Sequence, residues 1–265
     1  MMELPNKGTI LILPAVSSAN VPQLAVDLLV HSFRIPFYSL LDHGGLLYPF
    51  AGPREDPAPL ENDTATQLPK NGIASSLEVY HNSSVTCLIQ RSPTLPASRG
   101  LFISKVLLPF IQRNRFSRIL LLSSTDASRR SDPGGQKVTS ISLFDRSLQG
   151  ISTPTILDLS RKIAKLSVDE STPQPEYEEY ALPSRLPGSG ITLQFLNVAV
   201  SHNLPTSSVI LYVYEGDNFA DAYYMAELAL SALEIASPPA WTPPPSWDGV
   251  YGKKQKVGLE YGLYG

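Results

Sequence analysis

A chain of 265 residues can bury one sizeable core or two small ones. With 43% hydrophobic and 17% charged residues it is globular rather than disordered. A net charge of −3 gives no reason to expect nucleic acid or a membrane surface as partner. No apolar run approaches the ~18 residues that would span a bilayer, and the opening residues MMELPNKGT lack the regions of a signal peptide. Proline is the outlier, with 24 residues against a usual share of about 5%. Cys87 is the single cysteine, so an intramolecular disulfide is ruled out and an intracellular home is expected.

Ile10–Leu13 is a short continuous apolar run, which predicts a strand covered on both faces. Pro14 ends it, and Ser17, Ser18 and Asn20 supply turn and cap chemistry. Asn20 reads as a helix N-cap, with Pro22 in the first turn and Gln23 placed to close a capping box. Val21, Leu24, Ala25, Leu28 and Leu29 then form a helical stripe. Ile35–Leu41 predicts a second strand, and Ala51–Gly72 a long loop. Ser76–His81 and Val85–Gln90 predict two strands, the first alternating so that one face stays near solvent. Cys87 reads as a core residue. Leu101–Arg113 predicts a helix that Pro109 kinks or ends early.

Arg118–Ser124 predicts another buried strand. Thr125–Gly150 begins as a loop, with Arg129, Arg130 and Lys137 read as solvated charges in preference to a face for an acidic partner. Ile156–Leu166 is a short helix candidate and Val168–Tyr180 an acidic linker. Leu186–Thr192 (LPGSGIT) is a glycine-rich turn into a helix over 192–201. Val209–Tyr214 predicts a strand, and Asn218 with Asp221 repeats the cap spacing before a helix to about Ile235. These elements predict a three-layer α/β/α single domain over residues 1–236 with a mainly parallel central sheet. Residues 237–265 form an extended C-terminal tail.

Chemistry is sparse. His31, His43, His81 and His202 share no metal-ligand spacing, so neither metal nor cofactor is expected. Gly188–Ser189–Gly190 fits neither common phosphate-loop pattern, and there is no GxSxG elbow. Glu215 and Asp217 end an apolar strand, where open α/β sheets place active sites. Helix capping explains the same carboxylates.

The run LPAVSSANVPQLAVDLL (Leu13–Leu29) resembles the opening of the proteasome assembly chaperone 2 family. LPGSGIT, EGDNFADA (Glu215–Ala222) and PSW (Pro245–Trp247) resemble that family in the same order. Ala220 stands where proline would be expected, and both residues suit a first helical turn. The resemblance implies a nucleoside phosphorylase-like α/β/α fold without catalytic activity or cofactor. It implies a heterodimer with proteasome assembly chaperone 1 that holds the proteasome α-subunit ring, in the cytoplasm and nucleus. The end, Leu263–Tyr264–Gly265, matches the hydrophobic–tyrosine–any (HbYX) pattern by which such proteins dock between α subunits, which makes these three the expected partner-binding residues. The competing reading is a small-molecule enzyme or sensor of the same fold, with Ser189, Glu215 and Asp217 around a pocket.

Overall fold

The computed structural model describes residues 2–57, 72–129, 138–142 and 185–248. The first strand, β1 (Ile10–Pro14), leads into α1 (Val21–Ser32). It is followed by β2 (Phe37–Leu40), β3 (Ala51–Pro53), β4 (Ile73–Ser75), β5 (Leu77–His81) and β6 (Val85–Gln90). Next come α2 (Arg99–Phe102), a π-helical turn (Ile103–Leu107), α3 (Leu108–Asn114), β7 (Arg118–Asp126) and β8 (Val138–Ser142). The last third holds α4 (Thr192–Ser201), β9 (Thr206–Val213) and α5 (Phe219–Leu233).

Seven strands form one sheet in the order β2-β5-β6-β1-β7-β9-β8. The central four, β6, β1, β7 and β9, run parallel, and the outer pairs β2–β5, β5–β6 and β9–β8 are antiparallel. Ile12 sits between Cys87 and Leu120, so β1 is flanked by apolar strands on both sides. Side chains alternate between the faces. Ile12, Leu120, Leu122 and Leu211 pack under α1 and α5. Leu11, Leu13, Ile119 and Leu121 pack under α2, α3 and α4. The predicted three-layer α/β domain with a mainly parallel centre is the observed one.

The structure departs from the sequence expectations at several points. β5 is buried on both faces, because Glu78 and Tyr80 lie beneath α1 instead of meeting solvent. β8 lies inside the stretch expected to be a loop. The loop expected from Ala51 begins with β3, which pairs with β4 in a small separate sheet. Pro109 causes no early end: the π-helical turn directly before α3 widens the helix where proline offers no N–H and its ring needs room.

Asn20 occupies the N-cap position, yet its side chain makes no capping bond and its φ is 52°. An N-cap normally has extended backbone, whereas Asn20 is left-handed, and Pro22 has no N–H to offer. Gln23 is buried and does not close a capping box. Asn218 fails to cap in a different way: its amide donates to the Tyr214 carbonyl and to Asp221, each at 2.9 Å. Asp217 instead accepts the Phe219 N–H at 3.3 Å. The predicted helix at Ile156–Leu166 and the acidic linker fall outside the described residues.

Cys87 is fully buried between β5 and β1, and burial pushes its thiol pKa far up, with the Asp27 charge adding to the rise. The expected result is no reaction with a thiol-specific chromogenic reagent in buffer and one thiol titrated after unfolding. Rapid labelling of the folded chain would contradict this packing.

A closed crevice at the carboxyl edge of the sheet

The parallel strands β1, β7 and β9 end at one edge, where an open α/β sheet normally leaves a ligand crevice. Three segments that stood out in the sequence meet there: Ser17–Asn20 after β1, Leu186–Gly190 before α4, and Glu215–Asn218 before α5. Their polar groups are committed to one another. Ser17 Oγ lies 2.7 Å from Ser124 Oγ and accepts the Ser124 N–H at 3.0 Å. Ser124 Oγ donates to the Ser18 carbonyl at 2.6 Å. The Ser18 N–H donates to the Gly188 carbonyl at 2.8 Å, and Thr125 Oγ1 donates to the Pro187 carbonyl at 2.6 Å. Behind this layer, Ser123 Oγ meets Thr192 Oγ1 at 2.6 Å, and Thr192 donates to the Ser189 carbonyl at 2.6 Å.

The glycine-rich turn is therefore a plug. Gly188 and Gly190 have φ of 77° and 62°. A Cβ on Gly190 would collide with the Val16 carbonyl oxygen, and one on Gly188 with Ser18 Oγ. Only glycine allows the turn to seat this closely against the β1–α1 loop.

The three residues of the enzyme reading are each engaged in structural hydrogen bonds. Ser189 is buried and donates to the Leu186 carbonyl at 2.8 Å. Glu215 Oε1 accepts the Ala19 N–H at 2.9 Å, bridging the two loops. Asp217 caps α5. A nucleophilic hydroxyl needs a neighbouring base, and the serines here bond to other hydroxyls and to carbonyls. Among the described residues no group of three or more His, Cys, Asp or Glu could hold a metal ion. No described helix is long and apolar enough to cross a membrane.

Two features escaped sequence reasoning. The first is a partly buried ionic network: Arg91 pairs with Asp27 at 2.7 Å and with the fully buried Glu78 at 3.0 Å. Burial pushes the Glu78 carboxyl above its ordinary range against the opposing pull of Arg91. Its sequence signal was a glutamate in a strand whose alternation pointed that residue to solvent. The second is the seating of Ser237–Asp248 on α5, where Trp241 and Trp247 pack against the core beside α1 and α5. The expected docking residues Leu263, Tyr264 and Gly265 lie outside the described residues.

The model of the PAC2 family matches residues 11–237. Proteasome assembly chaperone 2 of Danio rerio is 30% identical over 254 residues, covering 93% of this chain and 92% of that protein. Proteasome assembly chaperone 2 of Nematostella vectensis is 30% identical over 245 residues, covering 89% and 93%. The crystal structure of Pyrococcus furiosus PbaA, an archaeal homolog of proteasome-assembly chaperone, shares the fold with a TM-score of 0.55. It is 14% identical and covers 88% of this chain and 85% of that one. A family match over most of the chain, with relatives aligned nearly end to end, places it: this chain belongs to the PAC2 family.

Proposed function

We propose that this chain is a non-catalytic proteasome assembly chaperone. It pairs with a proteasome assembly chaperone 1 partner and holds the α-subunit ring of the core particle in the cytoplasm and nucleus. The observation that carries this reading is the near end-to-end similarity to proteins named proteasome assembly chaperone 2. The hydroxyl-filled crevice supports it, since an enzyme or small-molecule sensor needs that space open.

In this reading Leu263–Tyr264–Gly265 docks between α subunits. The Gly265 carboxylate would pair with a pocket lysine and backbone N–H groups. Tyr264 lays its ring on the pocket wall with its hydroxyl on a polar group, and Leu263 fills an apolar site. Tyr264→Ala removes an aromatic anchor, for which a loss of about 2 kcal/mol is typical, or roughly 30-fold in affinity for isolated α rings. One residue added after Gly265 should weaken binding comparably by displacing the carboxylate. Both variants should keep the unfolding midpoint of the intact chain. Normal ring affinity in both would remove the docking mechanism.

A further inference from the structure

Beyond α5 the chain doubles back. Ser237 Oγ donates to Glu227 Oε2, and Trp241 Nε1 donates to Glu227 Oε1 at 3.1 Å. The Trp241 ring meets Tyr223 edge-on with centroids 5.9 Å apart. The Thr242 N–H donates to Ser32 Oγ at 2.9 Å, which ties the segment to the end of α1. Trp247 then stacks on Phe219, the first residue of α5, with centroids 4.4 Å apart and planes 22° from parallel. It also meets Tyr223 edge-on at 6.0 Å. As the numbering rises from 237 to 247, the partners climb α5 from Glu227 through Tyr223 to Phe219. The segment therefore runs antiparallel to α5 and brings Asp248 to the carboxyl edge of the sheet. Had it left α5 at its end, residues beyond Leu233 would start roughly 22 Å away, the length of that helix.

We infer that Trp241 and Trp247 are positioning residues: they clasp Ser237–Asp248 to α5 and so fix, at the carboxyl edge, the point from which residues 249–265 reach a binding site. The inference rests on the tail-docking reading. Tethered binding depends on the distance from anchor to site and falls as about the −3/2 power of tether length once the span is exceeded. Opening the clasp replaces a tether of residues 249–265 with one of residues 236–265. Length alone should weaken ring binding roughly 2-fold, and the shift of origin by a helix length adds to that.

The test places spin labels at Tyr214→Cys, on the carboxyl edge, and at Lys253→Cys, with buried Cys87 left unlabelled. Distance distributions and affinity for isolated α rings are then measured. Trp247→Ala leaves Ser237, Trp241 and Thr242 anchored and frees residues 243–265, so it should lengthen and broaden the distance and weaken ring binding roughly 1.5- to 2-fold, whereas Trp247→Phe, which keeps the stack, should preserve both. Ten Gly/Ser residues inserted after Asp248, with the clasp intact, should weaken binding roughly 2-fold. An unchanged distance in Trp247→Ala, or unchanged affinity in both Trp247→Ala and the insertion, overturns the clasp. If Trp247→Ala exposes Cys87 to thiol reagents, it has lost the fold and the insertion decides alone. Tyr264→Ala with full ring affinity would sink the docking reading instead, and the distance measurement would still judge the clasp.

Discussion

Arg91→Met is expected to cost the fold about 2–3 kcal/mol, a large share of a marginally stable domain's stability. Arg91 reaches between α1 and β5 and neutralises Asp27 and Glu78 together, at 2.7 and 3.0 Å. The Glu78 side chain is fully buried. Methionine fills similar space but leaves the fully buried Glu78 and the half-buried Asp27 without their cation. Glu78→Gln in the same background should recover part of the loss by removing one buried charge.

The pH dependence has a definite sign. Burial holds the folded Glu78 pKa above its unfolded value, so the folded state keeps a proton that the unfolded state has lost. That contribution is fully present below the ordinary carboxylate range and is lost as pH rises through the raised value. Without Arg91 the rise is larger. The variant should therefore recover stability relative to the intact chain between pH 8 and pH 5 in denaturant titrations. A loss under 1 kcal/mol, or a variant relatively weaker at pH 5, would show that the network does not hold this layer.

Gly190→Ala is the second large effect, at about 3 kcal/mol or more. Its φ of 62° penalises any side chain, and the Cβ would meet the Val16 carbonyl, which belongs to the backbone entering α1. The carbonyl cannot move without shifting the Ser17–Ser124 contact. Gly188→Ala shares the positive φ, but its obstacle is the Ser18 hydroxyl, which can rotate away. Its expected cost is about 1–2 kcal/mol. Urea unfolding midpoints of the two variants should rank in that order. Equal, small shifts would mean that the turn does not plug the crevice.

The layer architecture was legible because Ile10–Leu13 and Ile119–Leu122 are apolar on consecutive positions, which suits a short strand covered on both sides. α4 was legible from its glycine-rich entry. β8 was not, because its pairing to β9 is a non-local contact. Asn20 and Asn218 carried a correct position with an incorrect bond. Propensity locates a helix start, but Pro22 and Asp221 decide what the side chain does there. The closed crevice was half legible. Ser17, Ser18, Gly188 and Gly190 all stood out, yet their mutual approach depends on a fold that joins residues more than a hundred positions apart. The Trp247–Phe219 stack was hidden for the same reason, inside a stretch with no period to read.

The most direct test of the account is a capture from cell extract with the intact chain and with a chain lacking Leu263–Gly265, read by mass spectrometry. The intact chain should recover a chaperone 1 partner and proteasome α subunits, and the truncated chain should keep the partner and lose the α subunits. Recovery of neither by the intact chain would contradict the assembly function. Equal recovery of α subunits by both chains would leave that function standing without its tail.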